Sequence, residues 1–161
     1  TNFDVLGMAD LSADYLELKD REILEVTYDR EGRQEGLGRV GNLAEAQTLE
    51  AFGRFVKEKF QLPFVKVYGD LNKKVERVAV CTGSGKSLMP SVLHSQADVY
   101  VTADMDYHSS IDAVSQGICV IDAGHYGTEY IFMDYMEEEL GQMLPELEVE
   151  KMRVQHPCKA I

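Results

Sequence analysis

Apolar side chains recur along this chain in two different periods, and the switches between them divide it into elements. Within Arg21 to Arg30, the pattern of Ile23, Leu24, Val26 and Tyr28 predicts a strand. Asp29 to Gly41, which holds four glycines, reads as a loop. Leu49, Phe52, Phe55, Val56 and Phe60 then return at helical spacing. They predict a helix capped by Thr48, with Glu50, Arg54, Glu58 and Lys59 facing outward and Pro63 closing the unit.

Beyond Pro63 the pattern shortens and repeats. Strands are expected over Phe64 to Tyr68, Val75 to Cys81, Asp98 to Ala103 and Ile118 to Ala123. Between and after them come helices near Lys86 to Gln96, where Pro90 marks a first turn or a kink, then Tyr107 to Gln116 and Gly124 to Leu144. A last strand is expected over Glu148 to Gln155. Strands alternating with helices imply α/β layering, with a largely parallel sheet in the C-terminal part. Ligands of such sheets gather at the carboxyl ends of the strands, here Thr82 to Gly85, Thr102 to Asp104 and Asp122 to His125.

Length and composition narrow the class. The 161 residues, 45% of them hydrophobic and 27% charged, suffice for one domain or two small lobes. No run approaches the ~20 apolar residues of a membrane span, and no signal peptide is visible, so the cytoplasm is the expected location. Cys81, Cys119 and Cys158 are odd in number and widely spaced, which encodes neither a disulfide framework nor a zinc knuckle. A formal net charge of -12 disfavours binding to nucleic acid or to an anionic membrane. The basic clusters, Lys57 and Lys59 with Lys66, and Lys73 and Lys74 with Arg77, are diluted by neighbouring acids.

Three segments carry candidate chemistry. Thr82-Gly83-Ser84-Gly85-Lys86-Ser87 ends like a phosphate loop, but the position five residues before Gly85 is Val80 rather than glycine. What remains is a short glycine turn, either an anion contact or a tight strand-to-helix connection. Thr102 to His108 places Asp104, Asp106 and His108 just past a strand; they can serve as proton carriers, or an aspartate can cap the next helix. In Ile121 to Glu129, His125 and Glu129 stand at i and i+4 of a helix opening, a spacing that lets imidazole and carboxylate converge on one divalent ion. The alternative is an N-terminal glutamate favoured by the helix dipole beside a hydrogen-bonded histidine. His94 and His156 have no convergent partners in sequence and read as structural or surface residues.

Together, Gly36-Leu37-Gly38-Arg39-Val40-Gly41, Val78 to Gly85, Asp98 to His108 and above all Asp122 to Glu129 resemble the Nif-three-like family, also named GTP cyclohydrolase 1 type 2 homologues. The resemblance implies an α/β fold of layered sheet and helices, a toroidal hexamer as homo-oligomer, and two divalent metal ions (zinc, iron or manganese) in each intact protomer. It makes Asp4, His125 and Glu129 metal ligands and gives His108 a proton-transfer or substrate role. The opening Thr1-Asn2-Phe3-Asp4 resembles a family His-Thr-Asn-x-Asp element without its histidine, and the family's N-terminal histidine pair is absent. The chain is therefore expected to be a fragment lacking part of the first lobe, the alternative being a degenerate relative that has lost its site. Residues 1–41 would be the remnant of that lobe and a connecting loop, and 42–161 the C-terminal lobe; apolar surface over Val5 to Leu18 would be left without its partner. The implied function is that of a metal-dependent hydrolase-like protein acting on an unidentified small molecule. The alternative is an oligomeric metal-binding interaction or regulatory protein without turnover.

Overall fold

The computed structural model describes residues 7–159; Asp4 lies outside them. The strands are β1 (Lys19–Arg30), β2 (Arg33–Thr48), β3 (Lys66–Tyr68), β4 (Lys74–Ser84), β5 (Val99–Ala103) and β6 (Cys119–Asp122). The helices are α1 (Met8–Tyr15), α2 (Leu49–Lys59), α3 (Met89–His94), α4 (Tyr107–Ser115) and α5 (His125–Met143). A six-stranded sheet runs in the order β1-β2-β4-β5-β6-β3. Its centre, β4, β5 and β6, is parallel, while β1, β2 and β3 join antiparallel.

Period-2 alternation assigns the faces of the sheet. Val78, Val80, Val99, Val101, Cys119 and Ile121 point to one side, against Leu49, Phe52 and Val56 of α2 and Phe60 just after it, Leu11 of α1 and Ile131 of α5. Ala79, Tyr100 and Val120 point to the other, against Val92 of α3 and Ala113 of α4. Every residue of β5 and β6 is consequently buried, as strands covered on both faces must be. The α2 helix forms as its periodicity predicts, and the Thr48 hydroxyl accepts from the Ala51 amide at 3.2 Å. The stretch after the glycine turn is shorter than expected. A single 3-10 turn, Lys86–Leu88, leads into α3, whose first turn takes Pro90.

Three expectations are corrected. The stretch 29–41 is not a loop: β1 and β2 form a long hairpin, and its glycines mark close approach rather than a break. At Gly36 a Cβ would stand 1.9 Å from the carbonyl oxygen of Glu25, so only glycine lets the two backbones pair in this register. Residues 41 and 42 both lie inside β2. The segment 148–155 forms no strand. Its backbone is held by side chains of α5, with Tyr130 donating to the Met152 carbonyl, Tyr126 accepting from the Gln155 amide at 3.1 Å, and Lys151 pairing with Asp134 at 2.6 Å. Contacts with a helix leave that segment without a sheet edge to pair with. Finally, Leu11, Leu16 and Leu18 are not stranded on the surface: α1 packs on the sheet and buries them, pinned by the two-pronged pair of Arg39 with Asp10 at 2.6 and 2.8 Å.

Candidate metal centre

The parallel strands end side by side. Thr102 pairs with Asp122, and the Ala123 amide donates to the Thr102 carbonyl at 2.8 Å, so the segments after β5 and β6 emerge as neighbours. Asp122 is buried; it accepts from the Gly124 amide at 3.1 Å and faces the Lys66 ammonium at 3.2 Å. That hydrogen bond, reinforced by the charge of Asp122, raises the Lys66 pKa. The chain then turns at Gly124 straight into α5, which places His125 in its first turn and Glu129 one turn later.

The first turn of α5 brings the two side chains together. His125 Nε2 lies 3.1 Å from Glu129 Oε1, and Nδ1 on the other side of the ring lies 2.6 Å from Asp104 Oδ2. A carboxylate only accepts, so each ring nitrogen makes its contact while it carries a proton: Nδ1 toward Asp104, and Nε2 toward Glu129 unless another cation stands between them. The hydrogen bond to Asp104 is the largest influence on the His125 pKa and raises it; burial opposes, and the charges of Glu129 and Asp104 with the Glu129 contact add to the rise. With both nitrogens facing carboxylates, the space between Nε2 and Glu129 favours a cation, whether proton or metal. Asp104, on the far nitrogen, does not share that space. In keeping with this, no group of three or more His, Cys, Asp and Glu side chains is set to hold a metal ion by itself among the described residues.

The glycine turn forms the wall of this site. Gly83 takes a left-handed φ of +68°, and a Cβ there would meet Glu129 Oε1 at 2.9 Å and His125 Nε2 at 3.3 Å. Glycine therefore keeps the space before both donors open. From below, Tyr100 donates to the Gly85 carbonyl at 2.9 Å and Thr102 to the Gly83 carbonyl at 3.3 Å, while the Gly83 amide donates to Thr128 at 3.2 Å. The Lys86 ammonium pairs with Asp106 at 2.5 Å. The tight-connection reading of this motif is the one the structure supports. Gly83→Ala is expected to push the flexible Glu129 carboxylate aside and weaken divalent-metal affinity at least tenfold, at a folding cost of about 1 kcal/mol for the left-handed backbone. A competition titration with a chromophoric chelator, beside a urea melt, checks both numbers.

Asp106 caps α4, accepting from the Ser109 amide at 2.9 Å; with Lys86 as the larger influence, its carboxyl is held well below the usual range. His108 sits exposed in the first turn of α4 with its ring edge against Tyr107. Beside His125 opens a cleft of about 480 Å³, lined among others by Phe64, Lys66, Asp104, Met105, Tyr126 and His156. His108 is not among its lining residues. His156 is structural, as read from sequence: Nε2 lies 3.1 Å from the Gln61 carbonyl and its ring meets Tyr126 edge-on. The contact between Asp104 and His125 and the position of Gly83 were not foreseen. The signal for both is the adjacency of consecutive parallel strands, which brings the three predicted strand ends together.

Fold and site together define an α/β protein whose polar groups gather at the carboxyl ends of a parallel sheet core, around a histidine–glutamate donor pair. Residues 1–157 match the family Duf34/NIF3 (NGG1p interacting factor 3), and the chain belongs to that family. A GTP cyclohydrolase 1 type 2 homolog of Streptococcus pneumoniae is 35% identical over 148 residues, covering 88% of this chain and 54% of the relative. One from Halalkalibacterium halodurans is 38% identical over 132 residues, covering 79% and 35%. The chain thus spans between about a third and about half of these relatives. A Bacillus cereus protein related to NIF3 shares the fold, with a TM-score of 0.83 at 20% identity over 96% of this chain and 70% of that one. Reduced HcgD from Methanocaldococcus jannaschii superposes with a TM-score of 0.67 at 29% identity, covering 86% and 52%. No helix among the described residues is long and apolar enough to cross a membrane.

Proposed function

We propose that His125 and Glu129 are two ligands of a divalent-metal site in a metal-dependent hydrolase-like protein of this family. The observation that carries the reading is the 3.1 Å approach of His125 Nε2 to Glu129 Oε1 at the parallel strand ends, with Gly83 keeping the front open. Two donors do not hold a catalytic ion. Asp4, by the family resemblance, would add a third, and the remainder would come from outside this chain. The mixed nitrogen and oxygen donors suit zinc, iron or manganese. Bound there, two ions would supply Lewis acidity and lower the pKa of a water. This chain's own residues would do the rest: Glu129 and His125, which lines the cleft, would hold the ions, and Phe64, Met105 and Tyr126 would give a substrate apolar walls beside His125. The substrate class is open, and hydrolysis of a purine nucleotide such as GTP is suggested only by the names of the relatives.

The second reading is an oligomeric metal-binding protein without turnover. Phe132 and Met133, the first seven residues beyond His125 and the second four beyond Glu129, continue the ligand face of α5 and remain 39% and 36% exposed, a surface suited to a second copy of the chain. One experiment separates the two. The full-length protein containing this chain is purified without chelator, analysed for metal per protomer, and assayed for GTP hydrolysis before and after metal removal. The hydrolase reading expects about two ions per protomer and saturable hydrolysis that chelation abolishes and added metal restores. Bound metal with no turnover of GTP or other phosphate esters supports the second reading, and no bound metal overturns both.

A further inference from the structure

We infer that Asp104 is the positioning residue for His125: its carboxylate accepts the Nδ1 proton and orients the ring, so that Nε2 aims its electron pair at the space shared with Glu129 once a metal ion takes the place of its proton there. The inference rests on the metal reading of that pair. Three observations support it. The contact of His125 Nδ1 with Asp104 Oδ2, at 2.6 Å, is the shorter of the two that hold the ring. Asp104 is not needed for the helix that follows, because Asp106 is the residue whose side chain caps α4. And Asp104 holds a φ of +55°, an unfavourable left-handed conformation for a residue with a side chain.

That strain is fixed from both sides. Ala103 and Met105 are buried, so the chain enters and leaves Asp104 anchored in the core, and the turn lifts its half-exposed carboxylate to the start of α5. Since β5 and β6 are neighbours in register, the two strand ends deliver acid and imidazole to one place without a connecting loop. An imidazole that donates from one nitrogen to a carboxylate is oriented and made a better donor at the other, which is how outer-shell carboxylates act on metal-bound histidines.

The test uses two substitutions, each made in the full-length protein that contains this chain. Asp104→Gly removes the carboxylate in a conformation that glycine adopts freely, and Asp104→Asn keeps an acceptor oxygen and also tolerates it. Nitrogen-15 shifts of the His125 ring, recorded without metal at a pH where the ring is neutral, report the tautomer. Zinc affinity is measured in parallel by chelator competition. We expect the Nδ1–H form in the parent and in Asp104→Asn, a mixture in Asp104→Gly, and a loss of zinc affinity in Asp104→Gly of about 10–100-fold. An unchanged tautomer in Asp104→Gly overturns the inference. If the tautomer shifts as expected but the unsubstituted protein takes up no zinc, the metal reading fails and the positioning role of Asp104 stands.

Discussion

Replacing Phe52 by alanine is expected to destabilise the fold by about 3–5 kcal/mol, a large share of the roughly 5–15 kcal/mol that a domain has in all. Phe52 is fully buried in α2, where it stacks beside Phe55 with ring centroids 6.1 Å apart. Together with Leu49 and Val56 it makes the stripe by which α2 joins the larger core. Removing a buried aromatic ring forfeits about 2–3 kcal/mol of transfer free energy. The remainder is the cost of the cavity, because a sheet packed on both faces relaxes little. A urea titration should show a lower midpoint with an unchanged slope. A loss below about 1 kcal/mol would mean that α2 repacks freely and that the two-sided core is looser than its burial indicates.

The same stripe shows why so much of the fold was legible. In α2 and in the parallel core strands local pattern and tertiary burial agree, so periodicity located each element. The misreadings share one physical cause. Glycine was read as a breaker in 29–41, although in a hairpin it also marks two backbones in close approach, as at Gly36, and nothing within β2 reveals that its partner is β1. Likewise 148–155 has strand-like alternation, but its partners are Asp134, Tyr126 and Tyr130 on α5, remote in sequence. In the site, the pairing of His125 with Glu129 is local and could be read from i, i+4 spacing. The Asp104 and Gly83 contacts cross between strands and needed the sheet order, which sequence pattern does not specify.

Glu129→Ala is expected to weaken divalent-metal binding by more than the about 10–100-fold that loss of an outer-shell partner costs, while leaving the fold intact. The two halves of this outcome have separate causes. The Glu129 carboxylate is 52% exposed, and its recorded partner is His125, so its removal opens no cavity and orphans no buried group. Alanine also has the higher helix propensity at this position inside α5. Binding is different, because a carboxylate supplies charge as well as a donor atom, and without it Nε2 of His125 is the donor left from this helix. Glu129→Gln separates the two contributions, since it keeps an oxygen and removes the charge. Both variants should unfold within about 0.5 kcal/mol of the parent, as surface substitutions do. Equal metal affinity in the parent and in Glu129→Ala would show that the close approach of His125 and Glu129 is an ordinary helix ion pair, and the hydrolase reading would lose the observation on which it stands.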